Sequence, residues 1–456
     1  MNNCKPNMNR IAAIDLGTTK VVAIVGEKTP HGCKVIAYSE SPSQGVMRGE
    51  VVNIQNVLDS MMPCIEDIQE KIGEKISSVY VGIAGQHIRS LAECNMVNRE
   101  NHNVEITREE IQRLEQNMYS SLVEPGEEIL HVIPQCYHID DILGQRDPVG
   151  MMGKRIEANY RLFIGRTTSA VHTKRCVERA GLKMEKLILE PLASAKAVLK
   201  EDEMELGVAM IDIGGGTTDL LVYHDNVIRH TAVIPFGGNS ITDDIIHGCG
   251  ISKRYAEQMK IQYGSCYSDL APANKTVIVP GIGGREPREV SFKTLSNIIE
   301  ARISEIMDAV LYRIQDSGYA DKLQAGIVLT GGGALMSHLV QYVKFKTGYE
   351  ARIAKPSSLV DGSCPEVYRP AYSCAVGLLL KGIEYQKAIK ESPSVEGASI
   401  LDWLHIFKRE TVKSDAPPKV PKKQVPKVKA PPVPKEPSET LFGRIDKFLT
   451  NLDNDV

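Results

Sequence analysis

Ile14-Asp-Leu-Gly-Thr-Thr-Lys-Val-Val-Ala-Ile-Val25 returns later in the chain as Ile211-Asp-Ile-Gly-Gly-Gly-Thr-Thr-Asp-Leu-Leu-Val222. Each copy is an apolar run ending in an acid and a glycine, then a Thr-Thr turn, then a second β-branched run. The pattern predicts two strands joined by a special turn. The copies differ mainly by two inserted glycines, so the chain reads as an internal duplication, which governs the whole architecture.

The turn has a readable chemistry. Gly17 and Gly214, Gly215 and Gly216 can take backbone angles closed to other residues. Successive N–H groups can then converge on phosphate oxygens, with the hydroxyls of Thr18, Thr19, Thr217 and Thr218 as further donors. Asp15 and Asp212 at the strand ends would repel phosphate directly, but they can hold a magnesium ion through water. A third glycine element, Gly326-Ile-Val-Leu-Thr-Gly-Gly-Gly-Ala-Leu-Met336, reads as a buried strand, a triple-glycine turn and a helix start. There the backbone of Gly331, Gly332 and Gly333 can approach a flat base or a ribose, and the helix N-terminus favours negative charge.

The rest of the composition is that of an intracellular globular chain. The 456 residues are 42% hydrophobic, enough for two or more domains. A formal charge of -3 gives no basic excess and argues against non-specific nucleic-acid binding. The ten cysteines form no C-x-x-C pair, which fits free thiols in a reducing compartment. Asp15 and Lys20 interrupt the first apolar stretch, so no signal peptide is expected, and no run is long enough for a transmembrane helix.

Two phosphate hairpins followed by a glycine-rich nucleoside loop, in this order, resemble the actin-like ATPase superfamily. Glu190-Pro-Leu-Ala-Ser-Ala looks like its connecting segment, Ala256-Glu257-Gln-Met-Lys260 like its ribose-contacting helix, and Pro370-Ala-Tyr-Ser-Cys-Ala-Val-Gly377 like the helix that closes its second lobe. His131-Val-Ile-Pro-Gln, Asp147-Pro-Val-Gly-Met-Met-Gly153 and Pro280-Gly-Ile-Gly-Gly-Arg285 narrow the resemblance to the FtsA family of bacterial cell-division proteins. The expected fold is α/β, a duplicated, ribonuclease H-like, two-lobed ATPase with one family-specific insertion.

The resemblance implies subdomain 1A over 1–85 and 166–200 around the insertion 1C over 86–165. It implies subdomain 2A over 201–235 and 326–390 around 2B over 236–325, a linker over 391–437 and a membrane-targeting helix over 438–456. It further implies ATP and Mg2+ as ligands, held by Gly17, Thr18, Thr19 and Lys20 from one side and Gly214 to Thr218 from the other. Asp15 and Asp212 would order the magnesium shell. Glu257 and Lys260 would reach ribose and base, and Gly331, Gly332, Gly333 and Met336 would line the adenine. Glu190 matches the acid that orients water in hydrolysing relatives, but it can equally cap the helix that follows. Turnover therefore stays open, with slow hydrolysis as the upper expectation.

The tail has its own physics. From Thr411 to Pro437 prolines alternate with lysines, a composition that stays extended and spans about 80 Å. Beyond it Leu441, Phe442, Ile445, Phe448, Leu449 and Leu452 fall within roughly 120° of arc at helical spacing, with Arg444 and Lys447 on the other face. An amphipathic helix cut off from any core needs another surface, and a membrane interface fits. One copy should bind weakly, while a polymer of copies gains by multivalency. A second apolar segment, Ile400 to Phe407 with Trp403, can pack on the second lobe or serve as an auxiliary membrane contact, and packing is the preferred reading.

Read this way, the chain polymerises at the cytoplasmic face of the cell membrane at the septum. It tethers FtsZ through subdomain 2B, including a helix from Phe292 to Ile314, binds anionic lipid, and contacts later division proteins through 1C, with no nucleic-acid partner. Two alternative readings share the nucleotide-binding fold. A PilM-type pilus-assembly actin homologue shares the fold and insertion but lacks such a tail, and a sugar kinase would need a sugar-binding constellation that the sequence does not display.

Overall fold

The computed structural model describes residues 9–391, apart from 31, 282, 284, 285 and 361. The proline-lysine linker, the Trp403 segment and the amphipathic helix expected over 438–456 lie outside the described residues.

Both copies of the repeat fold as antiparallel hairpins. Arg10–Leu16 pairs with Lys20–Thr29, and Val208–Ile213 pairs with Thr218–His224. Each hairpin seeds a five-stranded sheet of the same topology. In the first, the order is Gly32–Pro42, Lys20–Thr29, Arg10–Leu16, Ser78–Ile83, Lys183–Leu189. In the second it is Val227–Ile234, Thr218–His224, Val208–Ile213, Ile327–Thr330, Ala351–Ile353. In both, the repeat's first strand is antiparallel to its hairpin mate and parallel to the strand on its other side. Duplication in sequence is thus duplication in topology.

The second sheet is buried on both faces, as its near-continuous apolar strands require. Val208 and Met210 belong to one core together with the first sheet, while Ala209, Ile211 and Ile213 belong to another with helix Phe292–Asp316. Helices Glu190–Val198 and Ser373–Glu391 pack closely on each other within the first core. A Cβ at Gly377 would collide with the Ala193 carbonyl, so this crossing needs glycine. The resemblance to the actin-like superfamily placed the Gly377 segment in the helix that closes the second lobe. Its helix instead packs on Arg10–Leu16 and Glu190–Val198, because its Leu378 and Leu379 complete the first core.

Between Ser78–Ile83 and Lys183–Leu189 the chain leaves to build a separate antiparallel sheet. Its order is Arg89–Asn98, Arg155–Arg166, Glu127–Ile139, Ile142–Gln145. Helix Arg108–Met118 begins with a capping box of Thr107 and Glu110 and buries Leu114 and Met118 in a third core with Tyr160 and Leu162. Among the described residues, no helix is long and apolar enough to cross a membrane.

Candidate functional site

The two hairpin turns face one another across a cleft of about 450 Å³. Asp15, Gly17, Thr18, Thr19 and Lys20 line it from the first copy, and Asp212, Gly214, Gly215, Gly216 and Thr217 from the second. Glu190, Glu257, Lys260, Gly331, Gly332, Gly333 and Met336 complete the residues that sequence had singled out. Thr218 turns away. It is fully buried and its hydroxyl donates to the Phe236 carbonyl at 2.8 Å, because the residue after Thr217 already points into the sheet.

The turns touch each other closely. A Cβ on Gly215 would collide with the Thr19 hydroxyl, and one on Gly216 would stand 2.6 Å from the Thr18 hydroxyl. The glycines therefore allow two turns, each rich in N–H groups, to close on one small space. At the third element, a Cβ on Gly332 would meet nothing within 4 Å, so its backbone opens onto the cleft. The helix expected directly after this turn is displaced. A 3-10 turn, Gly332–Leu335, follows first, and the α-helix Leu339–Thr347 begins after His338, whose φ of 62° breaks the chain direction.

The two basic candidates are anchored. Lys20 Nζ donates to Glu40 at 2.9 Å and sits 3.5 Å from the centre of the Tyr372 ring, whose hydroxyl donates to the same carboxylate at 3.0 Å. Lys260, 8% exposed, donates to the Gly238 carbonyl at 2.8 Å, the Thr242 hydroxyl at 2.9 Å and Glu257 at 2.8 Å. Helix Lys253–Tyr263 is thereby fixed against the start of helix Gly238–Cys249. That start is itself tied to the second turn, where Gly238 and Asn239 N–H groups donate to the Gly214 and Gly215 carbonyls.

Carboxylates gather at the floor. Asp212 pairs directly across its hairpin with Asp219 and accepts from Ser194 Oγ at 2.5 Å. Burial and the neighbouring Asp212 push the Asp15 carboxyl up to about 6 despite Lys20. Burial, reinforced by Asp212, pushes Asp219 up to about 8, and Glu190 is raised well above the carboxylate range by burial and by Asp15, Asp219 and Asp212. Like charges crowded in a dry site hold protons until a cation replaces them. The acid floor and the glycine-lined turns fit a magnesium-bound polyphosphate, whose charge and shape match both.

Sequence reasoning missed several lining residues. Asp219 occupies the position in the second copy that Lys20 holds in the first, so aligning the two repeats would have exposed it. Arg369 and Tyr372 come from the segment before the last helix, Cys374 from that helix's first turn, and Gly49 from a two-stranded turn, Val46–Met47 with Glu50–Val51. No local pattern marks these.

Comparison with known proteins agrees with this architecture. The profile described as cell division protein FtsA matches residues 209–377, and that of the SHS2 domain inserted in FtsA matches residues 85–164. A profile of the type IV pilus assembly protein PilM matches residues 128–270. The chain is 40% identical to the cell division protein FtsA of Pseudomonas aeruginosa, over 85% of this chain and 93% of that one. It is 36% identical to the Escherichia coli K12 protein of the same description, over 86% and 95%. Among solved structures, the PilM-PilN type IV pilus biogenesis complex aligns with a TM-score of 0.58 at 13% identity, over 83% of this chain and 99% of that one. MreB5 of Spiroplasma citri bound to ADP aligns at 0.52 and 16%, over 85% and 100%. At these identities the solved structures speak for the fold, whereas the sequence relatives speak for descent: the chain belongs to the FtsA family of actin-like cell-division proteins.

Proposed function

We propose that this protein binds ATP with magnesium in the interlobe cleft, assembles into filaments on the cytoplasmic face of the cell membrane, and tethers FtsZ there during division. The observation that carries the nucleotide reading is the apposition of the Thr18-Thr19 and Gly215-Gly216 turns above a floor of carboxylates. Gly17, Thr18 and Thr19 would hold phosphates from one side and Gly214 to Thr217 from the other. Asp15 and Asp212 would order the water shell of magnesium, which supplies neutralisation of phosphate charge when bound. The carbonyl-bound Lys260 and its partner Glu257 would fix the ribose-facing helix, and Gly331 to Gly333 with Met336 would wall the base. Glu190, in the first turn of its helix, is the proposed water-orienting acid, with slow turnover as the most that is expected.

The division role rests on family membership and on the sequence of the tail. Subdomain 2B is proposed to receive the FtsZ C-terminal tail, and 1C to contact neighbouring subunits and later division proteins. The helix over 438–456 is proposed as the anchor. Liposome co-sedimentation of the full protein and of a version ending at Pro437, each with and without Mg-ATP, tests this. Sedimentation of the full protein alone, stronger with ATP, is expected. Equal sedimentation of both versions would move the anchor to the Trp403 segment, and absence of binding in both would remove the adaptor role.

A further inference from the structure

Asp15, Glu190 and Cys374 each bring one ligand atom to within 4.8 Å of the other two. They arrive from three places: the end of strand Arg10–Leu16, the first residue of helix Glu190–Val198 and the first turn of helix Ser373–Glu391. A second observation at the same floor points to a cation. Asp219 borders the cleft, is 5% exposed, and its Oδ1 is buried with no hydrogen-bond partner. A buried carboxyl oxygen with no hydrogen-bond partner is costly, and a cation bound nearby is one way to offset it.

Magnesium alone does not account for the set. It takes oxygen ligands in octahedral geometry, keeps much of its water, and gains nothing from a thiol. Sulfur beside two carboxylates suits a borderline cation that accepts sulfur and oxygen together in a tetrahedron. Adjacent ligands of such an ion stand roughly 3.5 Å apart, so three atoms within 4.8 Å of one another need only a small inward adjustment.

We propose that, with no nucleotide in the cleft, Asp15, Glu190 and Cys374 directly bind a thiophilic divalent cation of the zinc class. Binding forms a metal–sulfur bond as the S–H bond breaks, and the thiol proton leaves to solvent without any change of oxidation state. A fourth position stays open to water. The bound cation occupies Asp15 and Glu190, so Mg-ATP must displace it, and the metal acts as a competitor that holds the cleft nucleotide-free. The proposal leans on the nucleotide reading only for this competition.

The test uses the full chain, stripped by chelator, with Co2+ as the spectroscopic probe and Zn2+ measured by competition with a chromophoric chelator. Wild-type protein should take up one Co2+ with a thiolate charge-transfer band, and Mg-ATP should abolish that band. Cys374→Ser should lose the band and weaken Zn2+ binding by at least the ~10-fold typical of damage to a metal site. Glu190→Gln should weaken Zn2+ binding while keeping the band, which separates loss of a ligand from loss of the fold. Cys136→Ser is the control, because its Sγ lies 3.9 Å from His138 Nε2 and offers a rival thiol. A band that survives in Cys374→Ser, vanishes in Cys136→Ser, or is absent from wild type overturns the assignment. A band present in wild type, lost in Cys374→Ser, yet indifferent to Mg-ATP would keep the metal site and remove the competition.

Discussion

Glu50 and His87 meet at 2.7 Å at the root of the inserted sheet, where the His87 side chain is 1% exposed. Ser169 donates to the other Glu50 oxygen at 3.1 Å, and the next residue back, Gly49, gives its N–H to the Thr18 hydroxyl at 3.2 Å. One short turn therefore touches the first Thr-Thr hairpin turn with one residue and the insertion with the next. If ligand at Thr18 shifts that turn, the insertion is the element that feels it. Hydrogen exchange over residues 85–98 should slow when Mg-ATP binds. Glu50→Ala should abolish that slowing and cost about 1–3 kcal/mol by leaving buried His87 without its partner. Unchanged protection in the variant would disconnect the insertion from the cleft.

The acid floor makes a pH prediction with a definite sign. Asp15 and Asp219 titrate near 6 and 8 in the folded chain against an ordinary 3.8, both chiefly through burial. Between those limits the folded protein holds protons that the unfolded chain has released, so nucleotide-free stability falls as pH rises from about 4 to about 8. Melting temperature measured across that range should decline without ligand and flatten with Mg-ATP. Asp219→Asn should raise nucleotide-free stability at the alkaline end by ~2 kcal/mol. A profile that climbs instead would mean that the floor is neutralised by something other than protons.

A methyl group placed between the two turns should act as a wedge. Gly215→Ala collides with the Thr19 hydroxyl, and small-to-large insertions at tight contacts cost about 1–3 kcal/mol. Nucleotide affinity, followed by fluorescence of a labelled ATP analogue, should fall about tenfold. Adding Thr19→Ala removes the atom that clashes and should recover part of the loss. No recovery would place the damage in the second turn's own backbone.

Much of this was legible because the chemistry is local. The repeated Asp-x-Gly and Thr-Thr turns fix two hairpins by themselves, and sheet topology followed because each hairpin's first strand has one free edge to pair in parallel. Asp219 was readable by comparing the copies, but Cys374 and Gly49 were not, since long-range packing alone delivers them to the floor and the first turn. The helix after the glycine loop was misplaced for a backbone reason. Apolar spacing cannot reveal that His338 adopts a left-handed conformation and restarts the helix one turn later.

The insertion depends on one buried arginine. Arg99 sits with a side chain 5% exposed and donates to both Glu110 oxygens at 3.0 and 3.2 Å. It also donates to the carbonyls of Val104, Gly153 and Glu105 at 2.9, 3.0 and 3.1 Å. The loop after strand Arg89–Asn98, the start of helix Arg108–Met118 and the turn before Arg155–Arg166 are thus held by a single planar group. Lysine has one point charge and cannot reproduce that fork, so Arg99→Lys should behave much like Arg99→Ala. Each should cost about 1–3 kcal/mol, the usual effect of leaving buried acceptors, here the backbone carbonyls that Arg99 serves, without a donor. The insertion has its own core around Tyr160 and Leu162, so the loss should be local. Exchange over 127–166 should accelerate by orders of magnitude while strand Val208–Ile213 keeps its protection, and uniform loss of protection in both would show that the insertion and the lobes unfold as one.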